Sequence, residues 1–504
     1  MLLPLPEVFV CALFVQLTRA SPVAASTTPI PTNGTVPFAL VLSGPPSTCT
    51  DIEICRTRYN IIWSSLVTVL ACVWTAVHRN VPGPSKPDES RLQHTVSRVL
   101  EGTKIVVITL LVPEWVLAWA VRQFLNARKV RSELEAARKT AEDEWERNRA
   151  LLQRIMKRET VERSVGRPSV SSEHAAAEGE EDKLIGEEPS AGPGESEKSQ
   201  DEQMELDELT TAVDDRAGRL RGKWTIRHGF FVIMGGFHYY ENGDPKHPLS
   251  RFDVVKLVEA GALVPPTEDE IRGWSQGDAL SKGLAVVQTL WFVIQCIARR
   301  VEGLPITQLE VMTLAYTTIT VAMYAFWWSK PQNIGSPVRV AVRNLPVQKK
   351  VEGDAWIGRF LAVVGGGQDV LTNLRREPKV PTFYGGSADG SDNDIFADII
   401  ALTVAMVFGV VHCAAWNYTF PSRVEEVIWR VSSIAIVAVP GALMFSVSAL
   451  VMDILDSQNS VLTGAVAIVM TIIFILSAPI YIGARTLLFA VSFTTLRSLP
   501  YEAY

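Results

Sequence analysis

Seven runs of mostly apolar residues, each near the length that crosses a bilayer, limit what this chain can fold into more than any other feature. Hydrocarbon offers no hydrogen-bond partners, so a segment of about 20 apolar residues must satisfy its own backbone as a helix. The runs are Ile61–Val77, Thr103–Val121, Lys282–Ala298, Ile306–Trp328, Ile395–Trp416, Val424–Val451 and Val461–Ile482. Tryptophans gather near their ends, at Trp63 and Trp74, Trp115 and Trp119, Trp327 and Trp328, and Trp416 and Trp429, as an interfacial belt does. The expected fold class is an all-α integral membrane protein: a bundle of about seven transmembrane helices with two long soluble loops, one partly disordered. The third run is short and contains Gln288 and Gln295, so a buried helix of a soluble domain is its other reading. The stretch Thr486–Thr495 is too short to cross, and is expected along the membrane surface or as an extension of the last helix.

Ahead of the runs, residues 1–20 read as an export signal whose apolar part, Val8–Val15, is too short to span. Cleavage after Ala20 is expected; the missing positive charge before Val8 leaves an uncleaved anchor as the alternative. Residues 21–59 then enter the lumen. They carry the glycosylation acceptor Asn33-Gly34-Thr35 and the cysteines Cys49 and Cys55. That pair is a disulfide candidate or two unpaired surface thiols. Cys72, Cys296 and Cys413 lie in apolar runs and read as small buried hydrophobes.

The first pair of transmembrane helices is assigned to 60–121. Residues 122–164 form an Ala-, Glu- and Arg-rich stretch that favours a charged helix beyond the second run. Its thin apolar stripe, Leu134, Ala137, Ala141, Trp145 and Leu152, would be covered by a partner helix or the headgroup surface, or left solvated. Residues 165–215 are an acidic linker too poor in apolar residues to fold alone. A small soluble or interfacial patch follows over 216–280, where Gly229–Phe237 reads as a re-entrant, interfacial or strand-like element. A second helix pair occupies 281–328, a basic loop 329–394, and the last transmembrane helices and a short tail 395–504. The basic loop suits anionic headgroups and has too few aromatics for nucleic-acid binding. The net charge of −6 is mild.

Topology brings two rules into conflict. A luminal N-terminus and seven crossings put Arg79–Arg98 in the cytosol, in keeping with the positive-inside bias, but put the 122–281 loop outside despite Arg122, Arg128, Lys129 and Arg131. A re-entrant second run would remove that conflict, since Pro113 breaks the helix ladder and Glu114 is ionisable. It would also reverse every later loop, and seven crossings are the expectation.

Chemistry-bearing residues are few. Glu114 is a carboxylate inside an apolar run, where it must be paired, protonated or facing water. It either serves a proton or cation path or pins the kink at Pro113. His412 has the same two readings. Gln288 and Gln295 share a helix face and would lie beside Glu310 if their helices pack, as polar glue or as a solute path. Gly273-Trp274-Ser275-Gln276-Gly277 matches a serine-hydrolase elbow, but an acidic stretch precedes it where a strand is required. Gly365-Gly366-Gly367 lacks a P-loop lysine, and His228, His238 and His247 lack metal-ligand spacing. No enzyme activity, cofactor or metal is expected.

Several motifs carry a resemblance. They are Asn60-Ile61-Ile62-Trp63-Ser64, His78-Arg79-Asn80-Val81-Pro82, Met234-Gly235-Gly236-Phe237, Leu304-Pro305-Ile306-Thr307-Gln308-Leu309-Glu310 and Trp327-Trp328-Ser329-Lys330-Pro331. In these the chain resembles a large family of multi-pass membrane proteins from filamentous and mushroom-forming fungi. The resemblance implies membrane location and supplies no established activity. The expected function is that of a receptor-like or scaffold membrane protein with protein partners on the 122–280 loop; a transporter or channel built on the intramembrane polar residues is the alternative.

Overall fold

A computed structural model describes residues 56–84, 90–165, 222–275, 279–341, 369, 372–386, 392–455 and 460–499. The export signal, Asn33, Cys49, Cys55, the acidic linker and most of the basic loop lie outside the described residues. Among the described residues eleven α-helices run in order: α1 (Arg58–Ala76), α2 (Arg91–Leu111), α3 (Pro113–Val165), α4 (Ile226–Ile233), α5 (Arg251–Glu259), α6 (Glu268–Trp274), α7 (Ala279–Val301), α8 (Gln308–Trp327), α9 (Asp392–Cys413), α10 (Arg423–Leu455) and α11 (Ser460–Thr494). Six of them, α1 and α7 to α11, contain segments long and apolar enough to cross a membrane, and a seventh is reached if α2 and α3 count as one broken span. Thr486–Thr495 mostly continues α11.

Helix α8 is the axis of the bundle, packed by α1, α3, α9 and α11. Its start and its finish mark the two ends. At the first, Ile61 of α1 meets Leu309 of α8 and Leu496, just past α11, while Gln308 donates to the carbonyl of Thr419 between α9 and α10. At the second, Trp327 meets Trp119 of α3, and Arg122 pairs with Asp398 near the start of α9. The long segments between α1 and α7 and between α8 and α9 therefore both leave from the second end, called the loop end below.

The run Thr103–Val121 is not one straight helix. Pro113 has no N–H to continue α2, and it opens α3 at N1, where that N–H is dispensable. The two helices bend by 110° around Val112. Both then lead back to the loop end. Arg79, just past α1, donates to the carbonyl of Arg98 on α2, and Gln123 on α3 donates to Asn80. The turn itself lies beside Tyr316, near the middle of α8, whose hydroxyl donates to the carbonyl of Leu110. The break expected at Pro113 is present, and the helix pair it makes has both arms leading to the loop end.

Helix α3 continues past the bundle into the patch, where α4 and α5 pack on it. Gly229 of α4 makes this possible, since a Cβ there would stand 2.2 Å from the carbonyl oxygen of Ala127. The stripe residues Leu134, Ala137 and Ala141 are buried within the chain itself. Gly229–Phe237 forms α4 and enters β1 (Phe237–Glu241), which corrects the re-entrant or strand-like reading. The class is not purely α: β1 pairs antiparallel with β2 (Asp244–Pro248) and parallel with β3 (Val338–Val340), in the order β2-β1-β3. Asn242-Gly243, both at positive φ, make the tight hairpin turn that this dipeptide favours.

Candidate functional site

The most unusual chemistry lies at the turn between α2 and α3. Glu114 sits in the first turn of α3, where the helix dipole favours a carboxylate. Its Oε1 is 3.5 Å from Nη1 of Arg485 on α11, and both side chains are buried. Arg485 also donates through Nη2 to the hydroxyl of Tyr316 at 3.0 Å and to the carbonyl of Leu110 at 3.4 Å. Its guanidinium lies 4.0 Å from the ring centre of Phe408, 5.0 Å from that of Tyr316 and 6.0 Å from that of Tyr481. A buried cation is thus matched by one carboxylate and three ring faces. His412 extends this layer: its ring is 4.8 Å from that of Phe408 and 6.1 Å from that of Trp429. Its Nδ1 is 2.9 Å from the Phe408 carbonyl one turn earlier in α9. The Glu114 oxygens and the Tyr481 hydroxyl are buried together beside the Arg485 charge.

Helix α3 carries this layer to a second polar cluster at the loop end. Gln123 is its hub. The Oε1 of Gln123 accepts from Lys330 Nζ at 2.7 Å and Trp327 Nε1 at 3.1 Å, while its Nε2 donates to Asn80 at 3.0 Å and to the Tyr384 carbonyl at 2.8 Å. Lys330 is fully buried, donates to the His78 carbonyl, and lies 4.7 Å from the ring centres of both Trp119 and Trp327. Burial pushes its ammonium well below the ordinary lysine range. Burial likewise pushes His78 well down, helped by the charges of Lys282 and Lys330 and opposed by its bond to the Ala76 carbonyl. Segment 380–386 is threaded across this face of α3. Trp119 donates to Tyr384 and Asn126 to Gly385, and Phe383, at φ +68, stacks on Trp115 with ring centres 4.7 Å apart.

The other predicted residues do not join either cluster. Gln288 is buried and donates to Thr68 of α1 at 3.0 Å, but Gln295 is exposed on α7. Glu310 is at the opposite end of α8, where its carboxylate accepts from the Thr307 N–H at 2.9 Å, closes a capping box and pairs with Arg56. Gln288 and Gln295, expected on one helix face beside Glu310, thus differ in burial, and Glu310 serves as the cap of α8. Ser275 ends helix α6 rather than a strand, and its hydroxyl donates to the Gln332 carbonyl at 2.8 Å; Gln276 and Gly277 lie outside the described residues. His228 caps α4, with Nε2 2.7 Å from the Pro266 carbonyl. Among the described residues no group of three or more metal-ligating side chains converges.

Sequence reading singled out Glu114 and missed Arg485, although a cation between Ala484 and Leu487 in an apolar stretch is the same signal. Lys330 was hidden by its place just past two tryptophans, where a lysine normally marks the interface.

A family model described as a family of unknown function (DUF8562) matches residues 45–163 and 195–348, more than half of the chain. No curated protein and no solved structure matches it.

Proposed function

The chain belongs to that family of unknown function, and from this premise we propose that it is a multi-pass integral membrane protein acting as a receptor-like or scaffold protein. The outward faces of the bundle support the membrane reading. Leu290, Trp291, Ile294 and Ile297 on α7, Val427, Val431 and Ile434 on α10, and Ile472, Ile475, Leu476 and Ile480 on α11 are all exposed, as lipid-facing side chains are. Six crossings with one re-entrant pair then set both chain ends on one side and both long loops on the other. With an exported N-terminus, the loop end is cytosolic, and Arg79, Arg98, Arg128, Lys129 and Arg131 fall on the positive side.

One observation carries the scaffold reading. Helix α3 is a single 53-residue element that runs from the Glu114–Arg485 pair to an exposed charged stretch beyond the α4–α5 patch. Anything bound to that stretch is coupled through one rod to the interior of the bundle. Proximity labelling from a tag at Gly192 tests it. A scaffold loses its labelled partners when residues 144–165 are deleted while the bundle stays folded, and an unchanged labelling profile overturns the reading. The transporter alternative is favoured by the Glu114 carboxylate, which is buried in the bundle beside Arg485. It requires that Glu114→Gln abolish proton flux in reconstituted vesicles; equal flux from wild type and variant removes it.

A further inference from the structure

At the loop end a cleft opens between the α1–α2 connection and segment 378–382. Its polar lining includes Arg79, Asn80, Arg98, Glu101, Asn333 and Lys379. The charges do not balance. Lys379 and Glu101 pair at 2.6 Å, so the one carboxylate of the lining is shared among three cations, Lys379, Arg79 and Arg98. Arg79 lies flat against α2, donating to the Arg98 carbonyl at 3.2 Å and to Asn333 Oδ1 at 3.3 Å. Gly102 makes the room, since a Cβ there would stand 2.9 Å from Nη1 of Arg79. The Arg98 guanidinium has no hydrogen bond or ion pair to any described residue and is half-buried. Two arginines on one cleft, close enough for the charge of Arg98 to act on Arg79 and one of them already desolvated, offer charge-assisted donors to a phosphate.

Depth selects the source of that phosphate. Arg79 lies three residues beyond the last residue of α1, at the edge of the apolar zone. On α2 the cationic face of Arg98 turns to the cleft, while Val96, Val99 and Leu100 at the same level are exposed. A helix apolar on its outer face and cationic on its inner face, at this level, meets hydrocarbon and headgroups together. We propose that the cleft seats the phosphodiester of an anionic membrane phospholipid between Arg79 and Arg98. This rests on the membrane reading given above.

The test uses the full chain purified in mild detergent, with phosphatidic acid, phosphatidylcholine and inorganic phosphate as separate probes. Phosphatidic acid should raise the unfolding temperature and remain bound in native mass spectrometry, with phosphatidylcholine inert. Removing one charge-assisted contact by Arg98→Gln should lower phosphatidic acid affinity about tenfold, while Lys104→Gln, on the same helix outside the cleft, keeps it. Equal affinity in the Arg98→Gln variant, an equal loss in Lys104→Gln, or equal stabilisation by inorganic phosphate would each overturn the lipid site. Alkaline carbonate extraction of the same membranes separates the two ideas. Release into the supernatant sinks the membrane reading, and retention with unselective lipid binding sinks the cleft alone.

Discussion

At the scale of single residues, Glu114 and Arg485 each become an uncompensated buried charge when the other is removed. Glu114→Gln and Arg485→Gln should each lower stability by about 3–5 kcal/mol. The double variant should lose less than the sum of the two, because removing both charges leaves neither unpaired. Denaturant unfolding in detergent measures the cycle, and strict additivity would show that the two groups do not couple. Acid acts elsewhere. Burial, with a smaller push from the charge of His247, lowers His238 of β1 from its usual 6.5 to about 4. The neutral ring is therefore the folded form, so its contribution is intact above about pH 6.5 and is lost as pH falls towards 4. Trp224 fluorescence should report a loosening patch over that window, and His238→Phe should flatten the response. Glu114 was legible because an ionisable group in an apolar run must be answered by something. The answering residue was not, because it lies 371 positions away in sequence, and no local pattern joins them.

At the scale of elements, the contact between α3 and α4 depends on one missing side chain. Gly229→Leu would drive carbon into the Ala127 backbone, which has no rotamer by which to yield. The loss should reach at least the roughly 1–3 kcal/mol of an overpacked core. Limited proteolysis of the 222–275 patch should accelerate, whereas Gly273→Ala, which has open space around it, should leave the pattern unchanged. The apolar runs of α1 and α7 to α11 could be read from composition alone, because length and hydropathy are local properties. Pro113 announced the break between α2 and α3 in the same way. The direction taken after the break could not be read, since it follows from what Gln123, Asn126 and Trp119 meet across the fold. The small sheet was missed for a similar reason: β3 is only three residues long and pairs with β1 from a distant part of the chain.

At the scale of the whole molecule, the returning helix pair decides the sidedness of everything after it. A tag after Ala20 and one after Tyr504 should be accessible together, and a tag at Gly192 should show the opposite pattern on the same cells. If the tag after Ala20 instead matched the Gly192 one, the α2–α3 pair would be a full crossing. The buried pair at the turn has a further consequence, for how the polypeptide is made. Glu114 is synthesised early and Arg485 close to the end, so the wedge formed by α2 and the start of α3 waits with an unanswered carboxylate until α11 leaves the ribosome. Any chain cut short before Arg485 lacks the cation that answers this carboxylate, so truncation ahead of it should shorten the lifetime of the product in a pulse-chase measurement.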